Sequence, residues 1–122
     1  MARNVAEIAW FLELLAPAGE MTARRMFGGT GFHADGLMIA LEAGGTLYLK
    51  VDEDSRARFD AAGAVPFVFE SRRRGTITTH YLTPPDDALD SPDAMRPWAL
   101  LALQASRRAA ARKAPRARKQ KR

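Results

Sequence analysis

The spacing of hydrophobic positions changes repeatedly along the chain, and each change marks an element boundary. Between residues 4 and 16, Val5, Ile8, Phe11, Leu12 and Leu15 recur at helical spacing, with Glu7 and Glu13 elsewhere on the wheel. This predicts an amphipathic first helix, which Pro17 and Gly19 end. From residue 22 the period becomes strand-like. Thr22–Phe27 reads as a strand, followed by Gly28-Gly29-Thr30-Gly31 and then Phe32-His33. Asp35-Gly36 suits a type I′ hairpin turn, whose two central residues need positive φ. Leu37–Leu41 is a short apolar strand, and Gly44-Gly45 offers a second tight turn. Thr46–Val51 then alternates, with Leu47, Leu49 and Val51 on one face and Tyr48 and Lys50 on the other. That is the pattern of a half-buried antiparallel strand.

Asp52 is placed to cap a second helix, with Glu53 and Asp54 in its first turn, where the helix dipole favours anions. This helix turns Phe59 inward and stops at Gly63, a natural position for left-handed backbone. Pro66–Phe69 and Thr76–Leu82 form a second strand pair around Arg72-Arg73-Arg74-Gly75, and Pro84-Pro85 ends the sheet. Ser91-Pro92-Asp93 combines a hydroxyl cap, a proline at the first helical position and an acid in the first turn. The helix it starts buries Met95, Trp98, Leu101, Ala102 and Ala105 and is expected to run to about Arg112, stopping before Pro115. The order α-ββββ-α-ββ-α predicts an α+β fold: a two-layer α/β sandwich, an antiparallel sheet with helices on one face. Residues 1–108 read as one domain and 109–122 as a basic, low-complexity tail of disordered type.

Composition narrows the function classes. A chain of 122 residues holds one domain. Without cysteine it has no disulfide framework, thiolate zinc site or cysteine nucleophile. The N-terminus runs directly into the amphipathic pattern, and the apolar runs are short and broken by charges. Neither a signal peptide nor a bilayer span is expected, and the default location is the cytoplasm. Charge is unevenly placed within the net +5. Nine of the 19 cationic side chains fall in residues 107–122, where there is no acid. The remaining ten face all 14 acids, so the body carries −4 and the tail +9. Attraction to a polyanion therefore resides mainly in the tail.

Several residues together resemble a known family. Met26-Phe27-Gly28-Gly29-Thr30-Gly31-Phe32, Gly36-Leu37-Met38 and Leu47-Tyr48-Leu49-Lys50-Val51-Asp52 are similar to the TfoX/Sxy N-terminal domain, as are Gly63, Pro66-Phe67, Tyr81, Pro84 and Trp98. The likeness runs from the first helix to about Arg108. It implies a secretion-chaperone-like two-layer fold and kinship with competence regulators that co-activate transcription. Those regulators carry a second, helical domain, where this sequence has the basic run 109–122.

The candidate chemistry is sparse. Gly28-Gly29-Thr30-Gly31 joins strand to strand and not strand to helix, so a turn or bulge explains it better than a phosphate cradle. His33 and His80 lack the close spacing that makes a metal site, and alternation puts His80 and Tyr81 on opposite sheet faces. Ser55, Ser71, Ser91 and Ser106 sit in caps, turns or helix ends, outside any nucleophile elbow. No catalytic residue, cofactor site or metal site is assigned. Arg24-Arg25 and Arg72-Arg73-Arg74 read as solvated strand and turn positions, with a phosphate-binding patch as the alternative.

The tail supplies the candidate nucleic-acid contacts: Arg107, Arg108, Arg112, Lys113, Arg116, Arg118, Lys119, Lys121 and Arg122. These would neutralise phosphates of DNA or RNA without reading bases, and the tail has no aromatic side chain to stack on them. A solubilising extension is the competing account. Core packing explains Phe11, Phe67 and Trp98 better than a ligand groove does, whereas Trp10 lies off the main apolar stripe and is a candidate protein contact, with a homodimer the simplest form. The expectation is a non-enzymatic regulatory or binding domain with loose nucleic-acid contact through the tail. The alternative is a protein-interaction module with no nucleic-acid role.

Overall fold

Helical and strand periods in the sequence become helices and strands in the expected order. The computed structural model describes residues 5–26 and 28–120, with 114–120 as backbone only. The elements are α1 (Val5–Leu15), β1 (Met21–Met26), β2 (Gly29–Ala34), β3 (Leu37–Ala43), β4 (Thr46–Lys50), α2 (Arg56–Ala61), β5 (Pro66–Ser71), β6 (Gly75–Leu82) and α3 (Pro92–Gln120). Short 3-10 turns at Ala16–Ala18 and Asp86–Asp90 complete the connections. All strands pair antiparallel in one sheet of order β1-β2-β3-β4-β6-β5. This is the predicted α+β architecture. Phe27, where the first strand was expected to end, lies outside the described residues.

The core forms where α1 and α3 cover one face of the sheet. Phe11, Leu14 and Leu15 of α1 and Met95, Ala99, Ala102 and Leu103 of α3 meet Phe32, Ala40, Leu47, Leu49 and Leu82 of the strands. Phe11 meets Phe32 edge-on, with ring centroids 6.2 Å apart. The alternation expected of β4 holds, since Leu47, Leu49 and Val51 are buried and Tyr48 and Lys50 face the other way. A bulge opposite Phe32 and His33 adds Ile39 to β3, and both Ile39 and Ala40 are fully buried. The buried stripe of α3 includes Ala99 and Leu103, with Trp98 and Leu101 only half-buried. Small alanines bring this helix close to the sheet, while the Trp98 indole moves to the margin and packs edge-on against Phe59 at 5.1 Å.

Turn chemistry accounts for most boundaries. Asp35 (φ 53°) and Gly36 (φ 78°) make the expected β2–β3 turn, and Ser91 Oγ accepts the Ala94 amide at 3.1 Å to start α3. Past Gly63 (φ 79°), the Gly63 amide donates to Asp60 and the Ala64 amide to Phe59, closing α2 in a Schellman motif. Three expectations are corrected. Asp52 caps a turn ahead of α2: its Oδ1 accepts the Asp54 and Ser55 amides, and Ser55 Oγ accepts the Asp52 amide in return. The helix thus begins at Arg56, and Glu53 and Asp54 precede its first turn. Second, only Gly28 in the glycine run needs positive φ (81°). Gly29 and Gly31 lie inside β2, where a Cβ on Gly29 would strike the Glu42 carbonyl oxygen and one on Gly31 would come 2.8 Å from Met26 Sδ. Third, α3 is helical through Pro115 to Gln120. The proline removes one backbone donor, but the surrounding Ala, Arg, Lys and Gln are strong helix formers.

One ion pair ties α3 back to the end of β4. The Arg108 guanidinium donates to both Asp52 carboxylate oxygens, Nε at 2.8 Å and Nη2 at 3.0 Å, and also lies 3.3 Å from Asp54. The Arg108 hydrogen bonds, helped by the Ser55 amide and opposed by burial, hold the Asp52 carboxyl down at about 2. A depressed carboxylate stabilises the fold above its ordinary value of 3.8 and loses that stabilisation as pH falls through about 2. Asp52→Asn is therefore expected to cost about 2 kcal/mol at neutral pH, the scale of a charge-assisted pair. In urea titrations the gap to the wild type should narrow between pH 4 and pH 2. A gap independent of pH would mean that the pair contributes only packing. Gly29→Ala should cost about 2 kcal/mol or more by the same measurement, because the obstructing atom is backbone.

Candidate functional site

The uncovered face of the sheet is apolar where an antiparallel sheet facing water is ordinarily polar. Pairing places Arg24 opposite Gly31, Leu41 opposite Tyr48 and Lys50 opposite Tyr81 on this face. Because Gly31 has no side chain, β2 is bare there, and the thioethers of Met26 and Met38 lie over it. β4 and β6 share only the pairs Leu49–Leu82 and Lys50–Tyr81, so the β5–β6 hairpin runs on past the end of β4. Its inner side carries Phe67 and Phe69, stacked at 5.9 Å, and Phe67 also meets Tyr48 at 5.1 Å. The result is a groove of about 690 Å³ between Met26, Met38 and Leu41 on one side and Phe67, Phe69 and Tyr81 on the other.

Polar groups in this groove are few, and Thr79, Glu70 and Glu42 are hydrogen-bonded. Thr79 Oγ1 donates to the Phe67 carbonyl, and Glu70 accepts the Thr76 hydroxyl at 2.7 Å. Glu42 accepts the Gly45 amide at 3.0 Å and is buried. Burial pushes the Tyr81 phenol up to about 12, so it is a neutral hydroxyl at any physiological pH. The Lys50 ammonium lies 5.3 Å from the centre of the Tyr81 ring. A site of this composition can hold a flat or apolar group and orient charge around it. Among the described residues its closest carboxylate–hydroxyl contact, Glu70 with Thr76, is an exposed cross-strand pair, and no histidine stands in the lining.

The predicted cations fall into distinct situations. Arg108 is committed to Asp52, which takes it out of the set of free tail charges. Arg107 is exposed, 3.8 Å from Asp35, and Arg112 and Lys113 are exposed. Arg116, Arg118 and Lys119 lie on the helical backbone of α3, while Lys121 and Arg122 lie outside the described residues. Lys113 lines a smaller cavity together with Lys50, Met38 and Tyr81, so the basic end of α3 adjoins the groove. Arg24, Arg25 and Arg72–Arg74 are exposed, and none forms an ion pair among the described residues.

Other sequence candidates take structural places. Trp10 is half-buried against the core, so the exposed indole expected there is replaced by a mostly packed one, because α1 presses a broad face on the sheet. Phe67 moves the opposite way, from expected core residue to groove wall. Ser55 and Ser91 are caps, Ser71 accepts the Arg74 amide in the hairpin turn, and Ser106 donates to the Met38 carbonyl at 3.0 Å. His33 is half-buried on the open face, with Nδ1 lacking a hydrogen-bond partner, and His80 is exposed on the other face. Among the described residues, no group of His, Asp and Glu is arranged to hold a metal ion, and no helix is long and apolar enough to cross a membrane. The sequence signal for the groove was available in Pro66–Phe69, which is apolar on both faces, and in the side-chain-free Gly29 and Gly31.

Comparison with the curated proteins yields no match. The model of the TfoX N-terminal domain family matches residues 13–106, from the middle of α1 to Ser106 of α3, and so spans the entire sheet and the groove. By that match and by its fold, the chain belongs to the TfoX N-terminal domain family.

Proposed function

We propose that this chain is a non-enzymatic binding domain of the cytoplasm that serves transcription-linked regulation and holds nucleic acid by its phosphates. The observation that carries the reading is the separation of charge between residues 1–106 and the nine cations of 107–122, eight of which stand outside the Arg108–Asp52 pair. A cationic segment of this kind neutralises backbone phosphates and releases their counterions, which gives affinity without sequence choice. Its regulatory part follows from the family resemblance, which implies kinship with regulators that co-activate transcription. The mainly apolar and aromatic lining of the groove supports a binding role over a catalytic one.

Fluorescence anisotropy with a short mixed-sequence duplex tests this. The full chain should bind at low salt, and log affinity should fall with log salt at about 0.9 per phosphate neutralised. Replacing Arg112, Lys113, Arg116, Arg118, Lys119, Lys121 and Arg122 by glutamine should abolish most of that slope. Binding that survives the replacement unchanged would remove the tail from the function.

A second reading, a protein-interaction module, is favoured by the β5 edge. Among the described residues, three of the four large apolar side chains that stand exposed, Val65, Val68 and Phe69, cluster on or beside this unpaired outer strand. Exposed edges of that type pair with other strands unless something covers them. Sedimentation equilibrium should then return twice the chain's 13.4 kDa, and Val68→Lys should restore the single-chain mass. A single-chain mass across the concentration series would count against self-association.

A further inference from the structure

We infer that the open-face groove is a stacking platform for single-stranded nucleic acid, continuous with the basic end of α3. The inference rests on the nucleic-acid reading proposed above and gives that reading its ligand. Its first support is the distribution of charge within the body. Although residues 1–106 carry a net −4 and no cation among the described residues lines the groove itself, five of their ten cations adjoin its lining residues in pairing or in sequence. Lys50 pairs with Tyr81 and lines the adjoining cavity, Arg24 lies on the strand that carries Met26, and Arg72, Arg73 and Arg74 lie in the turn after the strand that carries Glu70. Arg24 lies on the open face two residues from Met26, a separation of about 7 Å along a strand. Arg72–Arg74 form the hairpin turn between Ser71, the residue after Glu70, and Gly75. Of the 14 acids, only Glu42 and Glu70 line the groove, and both already accept hydrogen bonds.

Its second support is the aromatic surface between those cations. Phe67, Phe69 and Tyr81 present rings along one wall, and Phe69 remains 44% exposed. Antiparallel sheets bind single strands in this manner, with bases stacked on strand aromatics and phosphates running past arginines and lysines. A duplex keeps its bases stacked inward and cannot use the rings. The third support is continuity. Met38 and Tyr81 line both the groove and the smaller cavity that contains Lys50 and Lys113. A strand leaving the groove at Tyr81 therefore meets Lys50 and Lys113 at the basic end of α3, a run whose sequence has no aromatic of its own. The platform supplies stacking and the tail supplies charge.

The test compares a single-stranded oligonucleotide of about 20 nucleotides, longer than one site of this type, with its own duplex by anisotropy. The full chain should bind the single strand at least tenfold more tightly. Phe69→Leu, which keeps an apolar side chain on an exposed edge strand but removes the ring, should weaken single-strand binding about fivefold to a hundredfold and leave duplex binding unchanged. Joint replacement of Arg72, Arg73 and Arg74 by glutamine should lower the single-strand salt slope by about 0.7 for each phosphate that is no longer neutralised. Equal affinity for both forms, with no effect of Phe69→Leu, would overturn the platform and leave phosphate binding by the tail intact. No binding of either form would overturn both. Phe69-dependent capture of an acidic, apolar peptide in place of the oligonucleotide would assign the groove to a protein partner instead.

Discussion

Two helices packed on one face of a six-stranded sheet bury Phe32, Ile39, Ala40, Leu47, Leu49 and Leu82 and leave the opposite face to its own side chains. An antiparallel sheet can tolerate one wet side if that side is polar. Here it is largely apolar, and the arrangement of β5 and β6 follows from that. By running past the end of β4, the hairpin brings Phe67 against Tyr48 and shields part of the open face. The shielding is incomplete, since Phe69 and Val68 remain exposed at the outer strand. A surface half-closed in this way is stable enough for the fold and still open to a ligand.

The covered face was legible from the sequence because its signals are local and periodic. Leu47, Leu49 and Val51 alternate, Asp35-Gly36 suits the positive φ that its turn requires, and Ser91-Pro92-Asp93 carries a helix start within three residues. The open face was not legible, for two physical reasons. Apolar residues there mimic core residues, so Phe67 reads as buried until the sheet's layers are known. The glycines were also ambiguous. Gly29 and Gly31 look like turn formers, yet their function is close approach, of the Glu42 carbonyl in one case and of two methionine side chains in the other. Neither contact is encoded within the segment itself, because each depends on which strand pairs alongside it.

Asp52 illustrates how one residue can carry a local and a long-range function together. Its sequence context specifies a cap, and it does cap the turn before α2 through Asp54 and Ser55. The same carboxylate also receives Arg108 across 56 residues of chain, which fixes the direction in which α3 leaves the body. That pair converts one cation of the basic run into a structural element. It thereby places Lys113, about a turn and a half further along the helix, at the exposed rim of the cavity that Lys50 and Tyr81 also line.

The net charge of the body conceals an orientation. Asp60, Asp86, Asp87, Asp90 and Asp93 are exposed and gather around the end of α2 and the start of α3, whereas Glu53 and Asp54 lie beside Arg108 and Arg112 of the basic run. Arg24 of β1 lies on the open face instead, and Arg72–Arg74 form the turn of the β5–β6 hairpin that flanks it. At physiological ionic strength charges act over about 8 Å, so a polyanion near the molecule responds to each region separately and not to their sum. On the proposed reading, a polyanion would avoid the acids around the start of α3 and approach by the uncovered face and the basic run. A body of net −4 can therefore cooperate with a tail of +9 and need not oppose it, provided the ligand lies on the uncovered face. That requirement gives the apolar groove and the basic run a common direction, although neither would single out the same ligand alone.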